Sequence, residues 1–414
     1  MSPFIALELL VDKICRHHPW YRSLLAQQEI DLSNIRLTQL PLMTAELLDQ
    51  HYFNPEERSE PGLSVYKTSG TSSGIRKAIY YSEEDDEHYI AAKSTAFRTW
   101  LSTHSADSKS SSSSVIKKAL ADMGTGHAAS TALIIFTKLG WQAESLSFEL
   151  PIEQHITKLE QFQPELLYTM PSILDAIASA SGNPLLLGIK KIILVGEIAP
   201  PAWQANIAAR FGIEPGDILD TYGSIEIGAI AAYSHELGLY IIDESLYAES
   251  LPAEQIDKHF EPLQPNEGVL VLTSSVRSLF PAIRYVTYDV VRDFKTIDID
   301  GKSLQTFSCI SKRIGSELKH GEKISLYDIE SVVHQFVQDA ELRVRLEQNQ
   351  LSVHIQSHSL QDENLMSIQH AIEHKIIEIG QMIQNRILGG ITVTRAAPDE
   401  QLERGTIKSK KIYF

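Results

Sequence analysis

Between residues 164 and 222 the chain alternates strand, turn and helix signals, and that alternation restricts the fold more than any other feature. Pro164-Glu165-Leu166-Leu167-Tyr168-Thr169 is a short apolar strand that runs into Met170-Pro171-Ser172, a proline-punctuated helix start. Residues 190–195 form a continuous apolar strand followed at once by Gly196-Glu197-Ile198 and Pro200-Pro201, and residues 217–222 form another. Buried strands separated by helices need crossover connections, which implies a largely parallel sheet with helices on both faces. Ligands of such sheets gather at the carboxyl ends of the strands. The rest of the chain is therefore searched for polar groups that land there.

Upstream, Val115 to Met123 predicts a strand leading into Gly124-Thr125-Gly126-His127, and residues 131–139 are largely apolar with no turn signal. Residues 83–101 have helical spacing with an acidic first turn, which the helix dipole favours. The serine-rich run 105–114 reads as a surface loop. A boundary is expected between residues 311 and 312. Residues 1–311 would then form a large α/β domain with mainly parallel sheets, and 312–414 a small mobile α+β domain. In the second segment, Leu365, Ile368, Ile372, Ile376, Ile379 and Ile383 keep three–four spacing, which predicts one long helix whose stripe faces a core. At 414 residues the chain is long enough for two such domains.

The formal net charge of −16 argues against a nucleic-acid partner and against an anionic membrane surface. No run approaches membrane-spanning length and no signal peptide is read, so a cytoplasmic location is expected. Cys15 and Cys309 are far apart and in no metal-ligand spacing, which fits a reducing compartment.

The chemistry-bearing stretch is Tyr66-Lys67-Thr68-Ser69-Gly70-Thr71-Ser72-Ser73-Gly74-Ile75-Arg76-Lys77. Glycines let several backbone N–H groups face one point, the hydroxyls add donors and Lys77 adds charge, which together suit a polyphosphate. A flexible Ser/Gly connector has the same composition. The loop resembles the Thr-Ser-Gly-Thr-(Thr/Ser)-Gly-x-x-Lys signature of adenylate-forming enzymes: acyl-CoA synthetases, adenylation domains and luciferases. Ser82 and Asp85 resemble the Ser-x-x-Asp of the branch around phenylacetate-CoA ligase, as does His17-His18-Pro19-Trp20-Tyr21-Arg22.

Four further segments follow in the family's order. Asp220-Thr221-Tyr222-Gly223-Ser224-Ile225-Glu226 resembles its Tyr-Gly-x-x-Glu motif. The resemblance implies that Tyr222 stacks on adenine, Gly223 and Ser224 approach the α-phosphate, and Glu226 holds Mg²⁺. Gly196-Glu197-Ile198 stands where relatives line the adenine pocket, with Val195 replacing a first glycine. Phe280-Pro281-Ala282-Ile283-Arg284-Tyr285-Val286-Thr287-Tyr288-Asp289 resembles Pro-x-Ile-Arg-Tyr-x-Thr-Gly-Asp, with Asp289 on the ribose and Tyr288 in the glycine's place. Lys312-Arg313 resembles the hinge. Thr406-Ile407-Lys408-Ser409-Lys410-Lys411-Ile412 resembles the terminal motif whose lysine bridges substrate carboxylate and α-phosphate. Lys410 matches best, with Lys408 and Lys411 as rivals. Seen singly, the Glu226 turn is also an ordinary strand end, and the terminus an ordinary basic tail.

By the same resemblance Met123, Gly126, His127, Tyr168 and the backbone at Gly223 line the acid's pocket. The implied activity is ATP-dependent conversion of a carboxylic acid, expected to be aromatic, to an acyl-adenylate, then transfer to coenzyme A. Two alternatives stand beside it: loading of the acid onto the phosphopantetheine of a carrier protein, or a non-catalytic nucleotide-binding protein, suggested by Tyr288 and Ser409 in glycine positions. Relatives are often homodimers.

Overall fold

The computed structural model describes residues 7–32, 35–53, 63–68, 77–106, 116–123, 127–315, 324–347, 350–385, 388–396 and 412–413. It is α/β, with a large sheet-and-helix domain and a small C-terminal domain. By chain contacts it divides into two compact units: Met1–Gly70, Gly74–Arg98 and Thr221–Ile310 in one, Thr71–Ser73, Thr99–Asp220 and Ser311–Phe414 in the other.

The first unit is built on antiparallel pairs. Ser64–Lys67 pairs with Ala78–Tyr81, and Gly228–Ser234 pairs both with the end of Ile218–Ser224 and with Leu239–Ile242. The hairpin of Lys295–Ile299 and Lys302–Phe307 extends that meander through Phe307↔Tyr240. Leu246–Leu251, Glu267–Ser274 and Tyr285–Arg292 make a separate antiparallel ladder. Short connections explain the direction, since a hairpin can only join antiparallel neighbours. The core beneath holds Leu10, Ile14, Tyr21, Tyr81, Phe280 and Phe307, all essentially inaccessible. Leu10 and Ile14 project from one face of helix Leu7–His17, the side its apolar spacing marks out.

The parallel ladders between residues 118 and 195 belong to the second unit, while the first holds an isolated parallel bridge between Met43 and Tyr285. Lys118–Met123 lies between Gln142–Ser147 and Leu166–Thr169, parallel to both, and Leu166–Thr169 is parallel to Lys191–Val195. Helices His127–Lys138, Ile152–Phe162, Pro171–Ala180 and Pro201–Phe211 connect and follow these strands. The first strand in sequence is thus inside the sheet, and the order reverses beside its carboxyl end at Met123. Trp203 anchors the helical layer: it is 2% exposed and its indole N–H donates to Asp175 at 3.0 Å.

The small C-terminal domain has a hydrophobic core of its own, from Ile324 to Val393. Glu341–Glu347 pairs with Gln350–Gln356, which is parallel to Gly390–Arg395, and Ile412–Tyr413 runs parallel along Glu341–Glu347. The single long helix expected from the isoleucine stripe is two, Asp362–Lys375 and Ile377–Gln384. Ile376 leaves the helical region at φ −95°, ψ 99°. Gly380 lies so near the first helix that a Cβ there would stand 2.9 Å from the Glu373 carbonyl. The stripe still fills the core, with Ile368, Ile372 and Ile379 at 0% exposure. Among the described residues no helix is long and apolar enough to cross a membrane, and both cysteines are buried free thiols.

Candidate active site

The base of the phosphate-loop candidate is clamped twice. The Thr68 amide donates to the Lys77 carbonyl and the Lys77 amide to Thr68 Oγ1, each at 2.9 Å. Residues 69–76, with Ser69, Gly70, Thr71, Ser72, Ser73 and Gly74 among them, lie outside the described residues. The Lys77 ammonium is paired with Asp49 and sits 4.6 Å from the Phe53 ring centroid.

In the same unit the Tyr222–Glu226 segment closes a strand with a bulge: Tyr222 faces Ala231, but Gly223 faces Ala229. A Cβ on Gly223 would meet the Gly228 carbonyl oxygen at 2.6 Å, so close backbone approach within the turn itself requires glycine. Ser224 Oγ accepts from the Ile227 amide at 3.2 Å, fixing the turn. The Tyr222 hydroxyl donates to Asp289 Oδ2 at 2.5 Å, so the adenine and ribose candidates share a hydrogen bond. The Tyr222 ring meets Phe307 edge-on. No hydrogen bond or ion pair holds the partly exposed Glu226 carboxylate among the described residues, and no cluster of three or more metal-ligand side chains is found among them. A lone carboxylate of this kind fits Mg²⁺, a hard cation that keeps waters and takes its other oxygens from phosphates.

Tyr288 shows what replaces the family's glycine. Its φ is +62°, in the left-handed region where glycine is at ease, and here a tyrosine adopts it. The ladder is irregular there, since Val269 faces Val290 and Val271 faces Val286. The side chain is held in turn: the Tyr288 hydroxyl accepts from the Ala45 amide at 3.0 Å, at the start of helix Ala45–His51. Burial pushes that phenol up to about 12, keeping it protonated.

In the second unit, Gly196 is left-handed at φ +86° and turns the chain directly after its strand. The Glu197 carboxylate then accepts from the Ser172 amide (2.8 Å) and Ser172 Oγ (2.9 Å), capping helix Pro171–Ala180, and Ile198 follows. Asp220, the last residue of this unit's segment, and Thr221, the first of the next, are buried within strand Ile218–Ser224. Met123 ends its strand and His127 opens the next helix, both 4% exposed, while Tyr168 is fully buried edge-on to Phe136. Arg313 ends strand Cys309–Arg313 and is exposed. Gly126 and the three lysines Lys408, Lys410 and Lys411 lie outside the described residues.

Two features escaped the sequence reading. The first is Arg277, whose guanidinium meets Asp85 at 2.5 Å across 192 residues of chain. Ser82-x-x-Asp85 was visible as a motif, and its local role is a reciprocal cap: Ser82 N–H to Asp85 and Asp85 N–H to Ser82 Oγ, both 3.1 Å. Nothing in the pattern around Arg277 announces the partner. The second is the buried pair His155 Nδ1–Asp122 Oδ2, 2.8 Å apart beside Met123. His155 Nε2 lies 3.1 Å from the Leu150 carbonyl, which can only accept, so Nε2 carries a proton. Asp122 and Nδ1 then share one more, and burial raises the Asp122 carboxyl against the pull of His155.

The chain is similar to several known proteins. Residues 319–399 match the family described as the fumarate–diaminopropanoate ligase C-terminal domain. Fumarate–(S)-2,3-diaminopropanoate ligase of Enterobacter agglomerans is 36% identical over 387 residues, covering 94% of this chain and 94% of that protein. Phenylacetate-coenzyme A ligase of Aromatoleum evansii is 29% identical over 154 residues, 34% of this chain and 32% of that one. In fold, the chain is similar to 2-hydroxyisobutyryl-CoA ligase in its postadenylation state with R3-HIB-AMP: TM-score 0.72, 15% identity, 98% of this chain and 87% of that chain.

Proposed function

The chain belongs to the adenylate-forming ligase family, and from that premise we propose that it converts a carboxylic acid to an acyl-adenylate with ATP and passes the acyl group to an amine, forming an amide. The observation that carries the reading is the full-length relative, 36% identical, whose name pairs fumarate with (S)-2,3-diaminopropanoate. The aromatic acid and the coenzyme A thioester expected from the resemblance are the second reading, which the partial match to phenylacetate-coenzyme A ligase favours.

A carboxylate is a poor electrophile, and AMP makes it a mixed anhydride with a good leaving group. Attack on the α-phosphorus crowds anionic oxygens, so the protein's part is positioning and charge neutralisation. Thr68 to Gly74 and Lys77 would cradle the triphosphate, Lys77 exchanging Asp49 for phosphate. Asp289, hydrogen-bonded by Tyr222, would accept from the ribose hydroxyls. Gly196, Glu197, Ile198, Asp220 and Thr221 would line the base and α-phosphate, Ser224 would donate nearby, and Arg313 would act as the hinge arginine. Bound at Glu226, Mg²⁺ supplies charge neutralisation at the phosphates. Met123, Gly126, His127, Tyr168 and Gly223 would enclose the acid. Lys410 would bridge its carboxylate to the α-phosphate before the small domain admits the acceptor.

The test is acid-dependent ATP–pyrophosphate exchange, with fumarate, related dicarboxylates and arylacetic acids offered separately. (S)-2,3-Diaminopropanoate, coenzyme A and a holo carrier protein are then added as acceptors and the products weighed by mass spectrometry. Exchange with a dicarboxylate and an amide product are expected. A thioester instead would move the assignment to the second reading, and absence of exchange with every acid would remove adenylation altogether.

A further inference from the structure

The turn that carries Glu226 is held from below by two buried side chains that no motif reveals. Arg277 is 2% exposed. Its Nε donates to the Glu226 carbonyl at 3.0 Å, and one terminal nitrogen donates to the Tyr80 carbonyl at 2.9 Å. The other is neutralised by Asp85 at 2.5 Å. Tyr81, fully buried, donates its hydroxyl to the Ile225 carbonyl at 2.8 Å. The two side chains also stack, with the guanidinium carbon 3.6 Å from the Tyr81 ring centroid. Successive carbonyls, Ile225 and Glu226, are thus fastened to strand Ala78–Tyr81, the strand that begins one residue after Lys77.

We propose that Arg277 and Tyr81 are positioning residues for the Glu226 carboxylate, setting the turn that presents it to a divalent cation against the strand that follows the phosphate loop. This rests on the adenylation reading for its biological purpose, though not for its geometry. Two observations make support of Glu226 a better account than general packing. Both donors aim at main-chain oxygens of the turn and not at its side chains, so they fix backbone and leave the carboxylate available. The guanidinium charge is cancelled by Asp85, so it holds the turn without itself claiming the Glu226 carboxylate.

The decisive variant is Tyr81→Phe, which keeps the ring and its stack on Arg277 and removes one hydrogen bond. Wild type, Tyr81→Phe and Glu226→Gln are compared by titrating Mn²⁺ into the protein–ATP complex, read by electron paramagnetic resonance, with ATP affinity in EDTA and the melting temperature measured alongside. Tyr81→Phe is expected to weaken Mn²⁺ binding by about three- to tenfold, the range one hydrogen bond supports. ATP affinity without metal should stay within about twofold, and Glu226→Gln/Tyr81→Phe should bind Mn²⁺ no more weakly than Glu226→Gln. Unchanged Mn²⁺ binding in Tyr81→Phe would overturn the proposal, as would equal losses with and without metal, or additive losses in the double variant. Arg277→Lys, which retains charge for Asp85 but not the fork to two carbonyls, should shift Mn²⁺ binding in the same direction. The metal titration needs no turnover. A wild type that binds Mn²⁺–ATP yet activates no acid would count against adenylation and leave this inference standing on its own result.

Discussion

Replacing Asp85 with asparagine isolates the energetics of the buried charge pair, because asparagine preserves shape and one acceptor while removing the charge. In the native structure both partners are dry: the side chains of Arg277 and Asp85 are 2% and 0% exposed. The carboxylate takes the guanidinium on Oδ2, the Ser278 amide on Oδ1 at 2.8 Å and the Leu279 amide at 3.4 Å. Asp85→Asn leaves a guanidinium buried without its counter-charge, and breaking such a pair from one side destabilises by about 3–5 kcal/mol. The surviving amide contacts and the Tyr81 stack temper this, so the lower part of that range, about 3 kcal/mol, is the expectation. Urea unfolding monitored through Trp20, in a background where Trp100, Trp141 and Trp203 are phenylalanine, reads the unit that contains the pair. The companion variant is Asp85→Asn/Arg277→Met. If an uncompensated charge causes the loss, removing that charge restores part of the stability, and the coupling should be about 2 kcal/mol. A loss below about 1 kcal/mol in Asp85→Asn, or a double variant as unstable as the two single losses summed, would refute the reasoning.

Gly223→Ala should depress acid-dependent pyrophosphate exchange and destabilise by about 1–3 kcal/mol, because its new methyl meets the rigid Gly228 carbonyl; thermal melts with exchange kinetics check both. Tyr288→Phe should destabilise by about 1 kcal/mol through loss of the partner of the Ala45 amide, read by denaturant midpoint. Lys410→Ala should cripple exchange far more than acyl transfer from preformed acyl-adenylate, measured as two separate half-reactions; equal loss in both would refute its role. At Asp339, burial raises the carboxyl but the hydrogen bonds from Ser357, Ser359 and the His358 amide outweigh it, leaving the pKa below 3.8. A depressed carboxyl contributes stability above its unfolded pKa and loses it as pH falls through the folded one. Asp339→Asn should therefore flatten the acid-side decline of the melting temperature below about pH 4.

What could be read from residue order was whatever is encoded locally. The parallel strands ending at Met123, Thr169 and Val195 are short apolar runs with glycine or proline directly behind them, and such punctuation needs no distant partner to be understood. The stripe from Leu365 to Ile383 gave the correct buried face, because periodicity reports burial. It missed the break at Ile376, because the cause is tertiary: the second helix folds back until Gly380 crowds the Glu373 carbonyl. The antiparallel ladders of the first unit were under-read for a similar reason. A strand such as Glu267–Ser274, buried along almost its whole length, shows no alternation to mark its direction.

The site divides along the same line. Gly223, Ser224, Glu226 and Asp289 were legible as motifs, yet the reasons attached to them shift once packing is known. Gly223 is obliged by the Gly228 carbonyl as well as by any ligand. Asp289 is bonded to Tyr222. A tyrosine in place of glycine at 288 looked like decay of a nucleotide site. Its left-handed φ is one that glycine adopts without steric cost, and its hydroxyl is anchored by a hydrogen bond to a helix start. Strain of this kind, about 1–3 kcal/mol, persists where the surroundings over-determine the conformation. A substitution at a motif position therefore weakens a functional reading only when the backbone conformation open to glycine is lost as well, and Tyr288 holds a left-handed conformation of that kind.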